Sequence, residues 1–408
     1  MAMMKENLNL LSNRIKFITH GFFFSTAYHM AEPSTILPLI VNYFSKSDII
    51  IGIFSSLVRG GAIIMQLYMA FHAQTYKRVM NPLRILFLFR LLSWIGIGLA
   101  IYFFGNVNPV LTLWLIGLGL FAFSFTAGLG TILFHELLGK IFSNEYRGVT
   151  WAYRQISMGI GGILSGVIAG WIFNLYERPL GFAYAFLISG IFMFIGYVIL
   201  GVVHEWEKKN ISEKEKNFGL FIGNAAALLR QDKILLNQII VCLISYTYLF
   251  ALPFVIKYNK PELNLGGLAV SSAVPLLTGS ILGNIFWARL ASRNSNKIIV
   301  RISFLMMILS LTMALLPSNI FIFILIFLFA GSASDGFRLA FKNLVLSLAP
   351  EEKRPVYFAV QNFITSTGLF FSIPGGALLN LIGFNALIIL TITALFTGFF
   401  YSHKLKDV

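Results

Sequence analysis

Charge is scarce in this chain. Charged residues of both signs make up only 12% of its 408 residues, and acidic ones are the scarcer, 16 Asp and Glu against 31 Lys and Arg. Soluble domains carry about 25% charged residues. With 57% hydrophobic residues the chain has too little polar surface to cover a core in water, which excludes a soluble globule. Cysteine is almost missing: the single Cys242 rules out an intrachain disulfide framework or a thiolate metal site. No G-x-x-x-x-G-K-S/T run occurs, so the phosphate cradle of a nucleotide-driven pump is absent. There is no H-E-x-x-H sequence, His135-Glu136 lacks the second His, and no G-x-S-x-G nucleophile turn is present. The chain is therefore expected not to be an enzyme and to carry neither a metal nor a cofactor.

What is abundant is long apolar sequence. About 20 apolar residues cross the ~30 Å hydrocarbon layer. The sequence predicts twelve such segments, near 17–43, 48–73, 83–104, 109–138, 149–175, 181–203, 233–257, 265–290, 298–316, 319–347, 355–380 and 383–402. The first is too long for the core of a cleavable signal and is expected to be a retained span. A net charge of +15 would suit a nucleic-acid partner, but its distribution argues otherwise. With both ends on one side, most Lys and Arg fall in the segments on that side, and the opposite loops hold only Lys46, Arg178, Lys257 and Lys260. This asymmetry predicts cytoplasmic termini, as in a prokaryotic inner-membrane protein, with no nucleic-acid partner.

The chain also repeats itself. Ser143-Asn144-Glu145-Tyr146-Arg147-Gly148 is followed by Gln155 and a run of small residues. Pro350-Glu351-Glu352-Lys353-Arg354-Pro355, about half a chain later, is followed by Gln361 and another such run. Ile36-Leu37-Pro38-Leu39-Ile40 is echoed by Ala251-Leu252-Pro253-Phe254-Val255. Parallel repeats in membrane sequence are a mark of secondary transporters, with the site between the halves. The one long polar stretch, 204–232, divides six spans from six, and its part from Phe218 to Leu229 is amphipathic. The expected domains are a six-helix bundle over 1–203, this central cytoplasmic loop over 204–232, and a second bundle over 233–408.

Twelve spans, the 6+6 repetition and the paired charged turns resemble the major facilitator superfamily. The loop after span 2, His72-Ala73-Gln74-Thr75-Tyr76-Lys77-Arg78-Val79-Met80-Asn81, keeps the basic pair of that family's signature but lacks its Gly and Asp. Trp287-Ala288-Arg289-Leu290-Ala291-Ser292-Arg293, after span 8, is degenerate too, so no subfamily is assigned. The resemblance implies an all-α membrane protein with two pseudo-symmetric six-helix bundles. It also implies a cavity lined by spans 1, 2, 4, 5, 7, 8, 10 and 11.

Ionisable groups at membrane depth are costly and mark functional positions. Ser25, His29, Glu32 and Thr35 share one broad face of span 1, where Pro33 is expected to disturb the helix. Glu32 and Arg59 lie at similar depth on spans 1 and 2 and are expected to pair. Span 10 carries Gly331, Asp335, Arg338 and Lys342 on one face. The proton-coupling candidates are thus Glu32, His29 and Asp335. The substrate-cavity candidates are Arg59, Gln66, Gln238, Tyr246, Arg338, Gln361 and Asn362. Glu136, Glu145, Arg147, Arg154, Glu352 and Arg354 are the candidates for a cytoplasmic gate, with Arg154 neutralising Glu136 or Glu145. Arg90, with only Ser93 nearby, is expected to snorkel. The sequence thus reads as a monomeric secondary transporter that moves a small organic solute by alternating access, with protons as the expected co-substrate. Proton-driven efflux of amphipathic compounds, and a receptor or lipid-moving protein on a transporter fold, remain as alternatives.

Overall fold

The computed structural model describes residues 2–60, 62, 65, 68–69, 76–142, 144–206, 232–259, 261–291, 293, 295–317, 319–349 and 354–406. Among them every regular element is helical: α1 Ala2–Tyr28, α2 Ile36–Phe44, α3 Asp48–Gly60, α4 Met80–Phe104, α5 Pro109–Ile141, α6 Asn144–Leu175, α7 Leu180–Gly201, α8 Lys233–Ser245, α9 Leu252–Tyr258, α10 Leu265–Ala291, α11 Asn296–Met313, α12 Ile320–Leu348, α13 Arg354–Thr365, α14 Ser372–Ile382 and α15 Phe384–Tyr401. Ten described segments are long and apolar enough to cross a membrane, from Met80–Phe104 to Phe384–Lys404. They coincide with the third to twelfth expected spans. The first span is built from α1, a short 3-10 turn and α2. The second begins as α3, and most of its course beyond Gly60 lies outside the described residues.

These helices are apolar on both faces. On α4, Leu83, Phe87 and Trp94 are buried, while Ile85, Leu88, Phe89 and Leu92 are each more than half exposed. A helix hydrophobic all round belongs in lipid. Side-chain caps start several of them: Asn108 accepts from Leu111 N at 3.0 Å, Asp232 from Ile234 N at 2.9 Å and Leu235 N at 3.0 Å, and Asn319 from Phe321 N at 2.8 Å. Gly383, at φ +78°, makes the turn between α14 and α15 that a side chain would strain.

Among the described residues, three spans are interrupted. The first passes from α1 through a 3-10 turn at His29–Ala31, with Glu32 and Pro33 outside any helix, before α2. The seventh passes from α8 through a 3-10 turn at Tyr246–Phe250 into α9. The eleventh does the same at Ser366–Phe370, between α13 and α14. The first two interruptions immediately precede the echoed Leu37-Pro38 and Leu252-Pro253, so the sequence repeat is matched by a structural one. Proline fits there because the first turn of a helix needs no donor from it.

The chain packs as two compact units. In the first, Met1–Glu32 with Gly61–Glu215, α1 packs on α6 and α7, and α4 on α5 and α7. Buried polar groups find partners between helices: Ser25 Oγ donates to Met158 O at 2.6 Å, and Trp94 Nε1 to Ser189 Oγ at 2.6 Å. At the end of this unit that holds the 202–206 segment, Asn13 and the backbone of His204 exchange two hydrogen bonds of 2.9 and 3.0 Å. Glu205 accepts from Val79 N at 2.8 Å and Met80 N at 2.9 Å, and pairs with Lys140 at 2.9 Å. A carboxylate there meets both the free donors and the positive dipole end of α4. Because the Lys140 and Glu205 side chains are 8% and 4% exposed, Glu205→Ala strands a buried ammonium and two N–H groups. It is expected to cost about 3 kcal/mol, read as a lowered unfolding midpoint of the purified protein, with Glu205→Gln costing less.

The second unit comprises Pro33–Gly60 and Lys216–Val408. It places α2 and α3, from the first half of the sequence, against helices of the second: α2 on α9 and α3 on α14. Its densest seam joins α10 to α12. Gly279 and Gly283, spaced as a G-x-x-x-G pair, face Leu328 and Ser332, and Gly331 faces the Leu276 carbonyl. Small residues at this spacing let two backbones touch in lipid.

Candidate functional site

At the break in span 1, Glu32 is 3% exposed. Its Oε2 lies 3.7 Å from His29 Nε2. The hydrogen bonds around His29 assign its proton. Ser25 spends its one hydroxyl proton on Met158 O, so Ser25 Oγ, 3.0 Å from His29 Nδ1, must accept. The Ser25 carbonyl, 2.9 Å from the same nitrogen, can only accept. His29 Nδ1 therefore carries a proton, and in a neutral ring Nε2 presents its lone pair toward the Glu32 carboxyl. The expected partner of Glu32, the Arg59 side chain, lies outside the described residues, as does Gln66.

A second carboxyl sits in the second unit. Asp335 on α12 accepts from the Ser280 hydroxyl, from Asn284 Nδ2 at 2.7 Å, and from Arg338 one turn along its own helix. Ser280 and Asn284 come from α10, so the glycine seam that lets α10 and α12 touch also brings these donors to Asp335. The Asp335 side chain is 9% exposed and that of Arg338 is 68% exposed. The arginine thus offers an open charged surface beside a carboxylate already supplied with donors.

The remaining cavity candidates divide. Gln238 donates to Gln361 at 2.7 Å, and both amides reach the Phe341 carbonyl, at 3.3 and 3.1 Å. Both are 3% exposed, so they tie α8, α12 and α13 together. Tyr246 is half-buried in the 3-10 turn of span 7 and packs over Gly368 in that of span 11. Asn362 is half-buried on α13.

Of the gate candidates, Glu136 is half-buried on α5. Glu145 and Arg147 begin α6 and Arg354 begins α13, but their side chains and all of Glu352 lie outside the described residues. Arg154, expected to neutralise Glu136 or Glu145, turns to α1, while the Glu145 side chain lies outside the described residues. Its guanidinium donates to Phe17 O at 2.7 Å, lies 2.8 Å from His20 Nδ1, and makes no ion pair with Glu136. The stem of Arg154 crosses α1 at Gly21, and this points the head toward α1. Arg90 does not snorkel either: its guanidinium turns inward over Phe24, Phe123 and Tyr197, where cation–π attraction replaces the interfacial water. At the same end as the charged turns, Tyr357 donates to Asp232 at 2.8 Å.

Sequence reasoning missed one arrangement. Within the second unit, Asp48 at the start of α3 pairs with Lys257 at 2.7 Å and accepts from Tyr258 at 2.7 Å. One turn and more along, Ser56 Oγ is 2.5 Å from Ser372 Oγ, which donates to Gly52 O at 2.9 Å. Gly52 faces the Ser372 carbonyl and Gly376 the Asp48 carbonyl. The one available signal was charge: Lys257 is among the few basic residues on the charge-poor side, and Asp48 is an acidic residue on that side.

A model of the Major Facilitator Superfamily matches residues 17–278 and 234–405. Among solved structures, a mutant of the nucleoside transporter NupG superposes with a TM-score of 0.73 at 14% identity, covering 97% of this chain and 100% of the other. A D-xylose–proton symporter gives 0.71 at 12% identity, over 97% and 98% of the two chains. A bacterial homologue of the iron transporter ferroportin, in an inward-facing state, gives 0.69 at 10% identity over 97% and 98%. At such identities the likeness is one of fold. No curated protein sequence matches the chain.

Proposed function

The chain belongs to the Major Facilitator Superfamily, and on that premise we propose that it carries a small organic solute across the membrane by alternating access, coupled to protons. The observation that carries the coupling is the 3.7 Å approach of two titratable groups, His29 Nε2 and Glu32 Oε2, at the interruption of a span. A titratable pair placed where the backbone already bends can join proton uptake to a change of shape. Asp335 is the second proton candidate. Arg59, Gln66, Tyr246, Arg338 and Asn362 are proposed to face the solute, with Gln238 and Gln361 fixing the helices behind them. The solved structures of similar fold bear titles naming a nucleoside, a sugar and an iron transporter, so the solute class is read from this chain's own polar groups: a neutral or anionic solute suits the exposed Arg338.

In this reading the functional halves are 1–203 and 233–408, joined by 204–232. The matched interruptions of spans 1 and 7 support that division. The charge asymmetry supports cytoplasmic termini in a prokaryotic inner membrane, and a monomer suffices for the cycle. The turns around Glu145, Arg147, Glu352 and Arg354, together with Glu136, then form the cytoplasmic gate, and Asp48 with Lys257 fastens the opposite end.

The test begins with a panel of nucleosides, sugars, amino acids and organic acids, since a ligand of the folded state raises its unfolding midpoint. In liposomes containing only this protein, the ligand so found should exchange without any gradient and accumulate under an imposed pH gradient. Glu32→Gln is expected to keep exchange and lose at least about tenfold in gradient-driven accumulation. Full gradient response in that variant would overturn the coupling role.

A further inference from the structure

Four helices of the first unit converge on a group of side chains that the transport reading leaves unused. Arg154 of α6 donates to Phe17 O and lies 2.8 Å from His20 Nδ1 on α1. A guanidinium only donates, so His20 Nδ1 accepts, the ring is neutral, and its proton is on Nε2. That Nε2–H is buried without a hydrogen-bond partner. The same is true of Tyr197 Oη on α7 and Arg90 Nε on α4. His20 and Tyr197 are 4% and 6% exposed, and Arg154 4%.

The three orphans lie in one neighbourhood. The His20 and Tyr197 rings are 6.2 Å apart, and the Arg90 guanidinium is 5.8 Å from the Tyr197 ring. All three are donors or can act as one, and two guanidiniums stand with them. No carboxylate among the described residues makes an ion pair with Arg90 or Arg154. Apolar rings enclose the group: Phe87 stacks on Tyr197 at 4.4 Å, while Phe17 and Phe134 face Arg154 at 4.5 and 5.2 Å. A buried Arg154 and a half-buried Arg90 whose Nε is enclosed, with spare donors around them and no carboxylate partner, are costly as they stand. Gly21 admits the Arg154 stem, because a Cβ there would lie 2.8 Å from Arg154 Cγ; the cluster is accommodated by the packing around it.

We propose that this cluster binds a small anion, of halide or formate size, between α1, α4, α6 and α7. An acceptor-only ligand satisfies Tyr197 Oη, His20 Nε2 and Arg90 Nε together and supplies the missing negative charge. The ring walls limit its size. The site lies within one unit and does not depend on the proton-coupling role of Glu32.

The probes are sodium chloride, bromide and formate, compared with sodium gluconate at equal ionic strength on the purified full-length protein. At least one small anion is expected to raise the unfolding midpoint saturably by about 3 °C or more. Arg90→Gln and Tyr197→Phe should each weaken that dependence about tenfold. If Arg90→Gln does not fold, Tyr197→Phe decides alone, since it removes only one oxygen. A hydroxyl without a ligand would leave the anion response of Tyr197→Phe unchanged, and that result overturns the proposal. So does an equal midpoint in all four salts.

Discussion

Oxidised Ser56→Cys/Ser372→Cys protein will lose transport of its ligand by about tenfold or more, and a reductant will restore it. The two hydroxyl oxygens are 2.5 Å apart, so thiols in their place stand close enough to form a disulfide of about 2.05 Å with little backbone movement. The bond would tie α3 to α14. Alternating access requires a contact that closes one end of the pathway to break in every cycle. The backbones touch at Gly52–Ser372 and Gly376–Asp48, beside the Asp48–Lys257 pair that the proposed cycle assigns to the end opposite the cytoplasmic gate. Cys242 is buried and does not compete for the oxidant. Wild-type protein under the same oxidant should keep its activity. Unimpaired transport with the cross-link formed would show that α3 and α14 stay together throughout the cycle.

The second large effect is on folding. Gly331→Val will sharply reduce recovery of folded protein and lower the unfolding midpoint of what remains. A side chain at 331 would overlap the Leu276 carbonyl, and one at 279 the Leu328 carbonyl. Backbone cannot yield as a flexible side chain does, so the two helices must separate along the seam. Overpacking of this kind costs about 3 kcal/mol or more. The loss extends to Asp335, whose partners Ser280 and Asn284 are held at reach by the same approach. Gly96 supplies the control: nothing lies within 4 Å of a Cβ placed there. Gly96→Ala is expected to be neutral or slightly stabilising, by up to about 1 kcal/mol, through helix propensity. Equal effects at 96 and 331, measured by thermal unfolding in detergent, would remove the seam from the explanation.

Much of this was legible because lipid is a simple solvent. A span such as α4 or α7 is announced by its length and its lack of charge, and ten of the twelve expected segments return nearly residue for residue. Pro33 also foretold where span 1 departs from regular helix, whereas the echoed Leu-Pro pairs marked the repeat and the break in span 7 went unforeseen. What stayed hidden were partners. Asp48 meets Lys257 and Tyr258 only because the fold brings positions more than two hundred residues apart together, and no periodicity encodes that. Direction was hidden too. Arg90 and Arg154 could be seen to lie within spans, but whether a long side chain turns to the interface or to a ring is decided by its neighbours on other helices. His20 escaped notice because an isolated His in an aromatic run gives no signal until Arg154 is seen to approach it. For Glu32 the reading found the residue and its His29 neighbour, whereas Ser25, which fixes the ring's proton, acts through Met158 on another helix.

The boundary between the two packing units falls at the Glu32–Pro33 peptide. Glu32 is the last residue of one unit, and the chain enters the other at Pro33. Binding and geometry at such a residue obey reciprocity: if a proton there favours one arrangement of the backbone by some factor, that arrangement must hold the proton tighter by the same factor. If Glu32 is the coupling site proposed above, a membrane pH difference acts at that boundary residue itself.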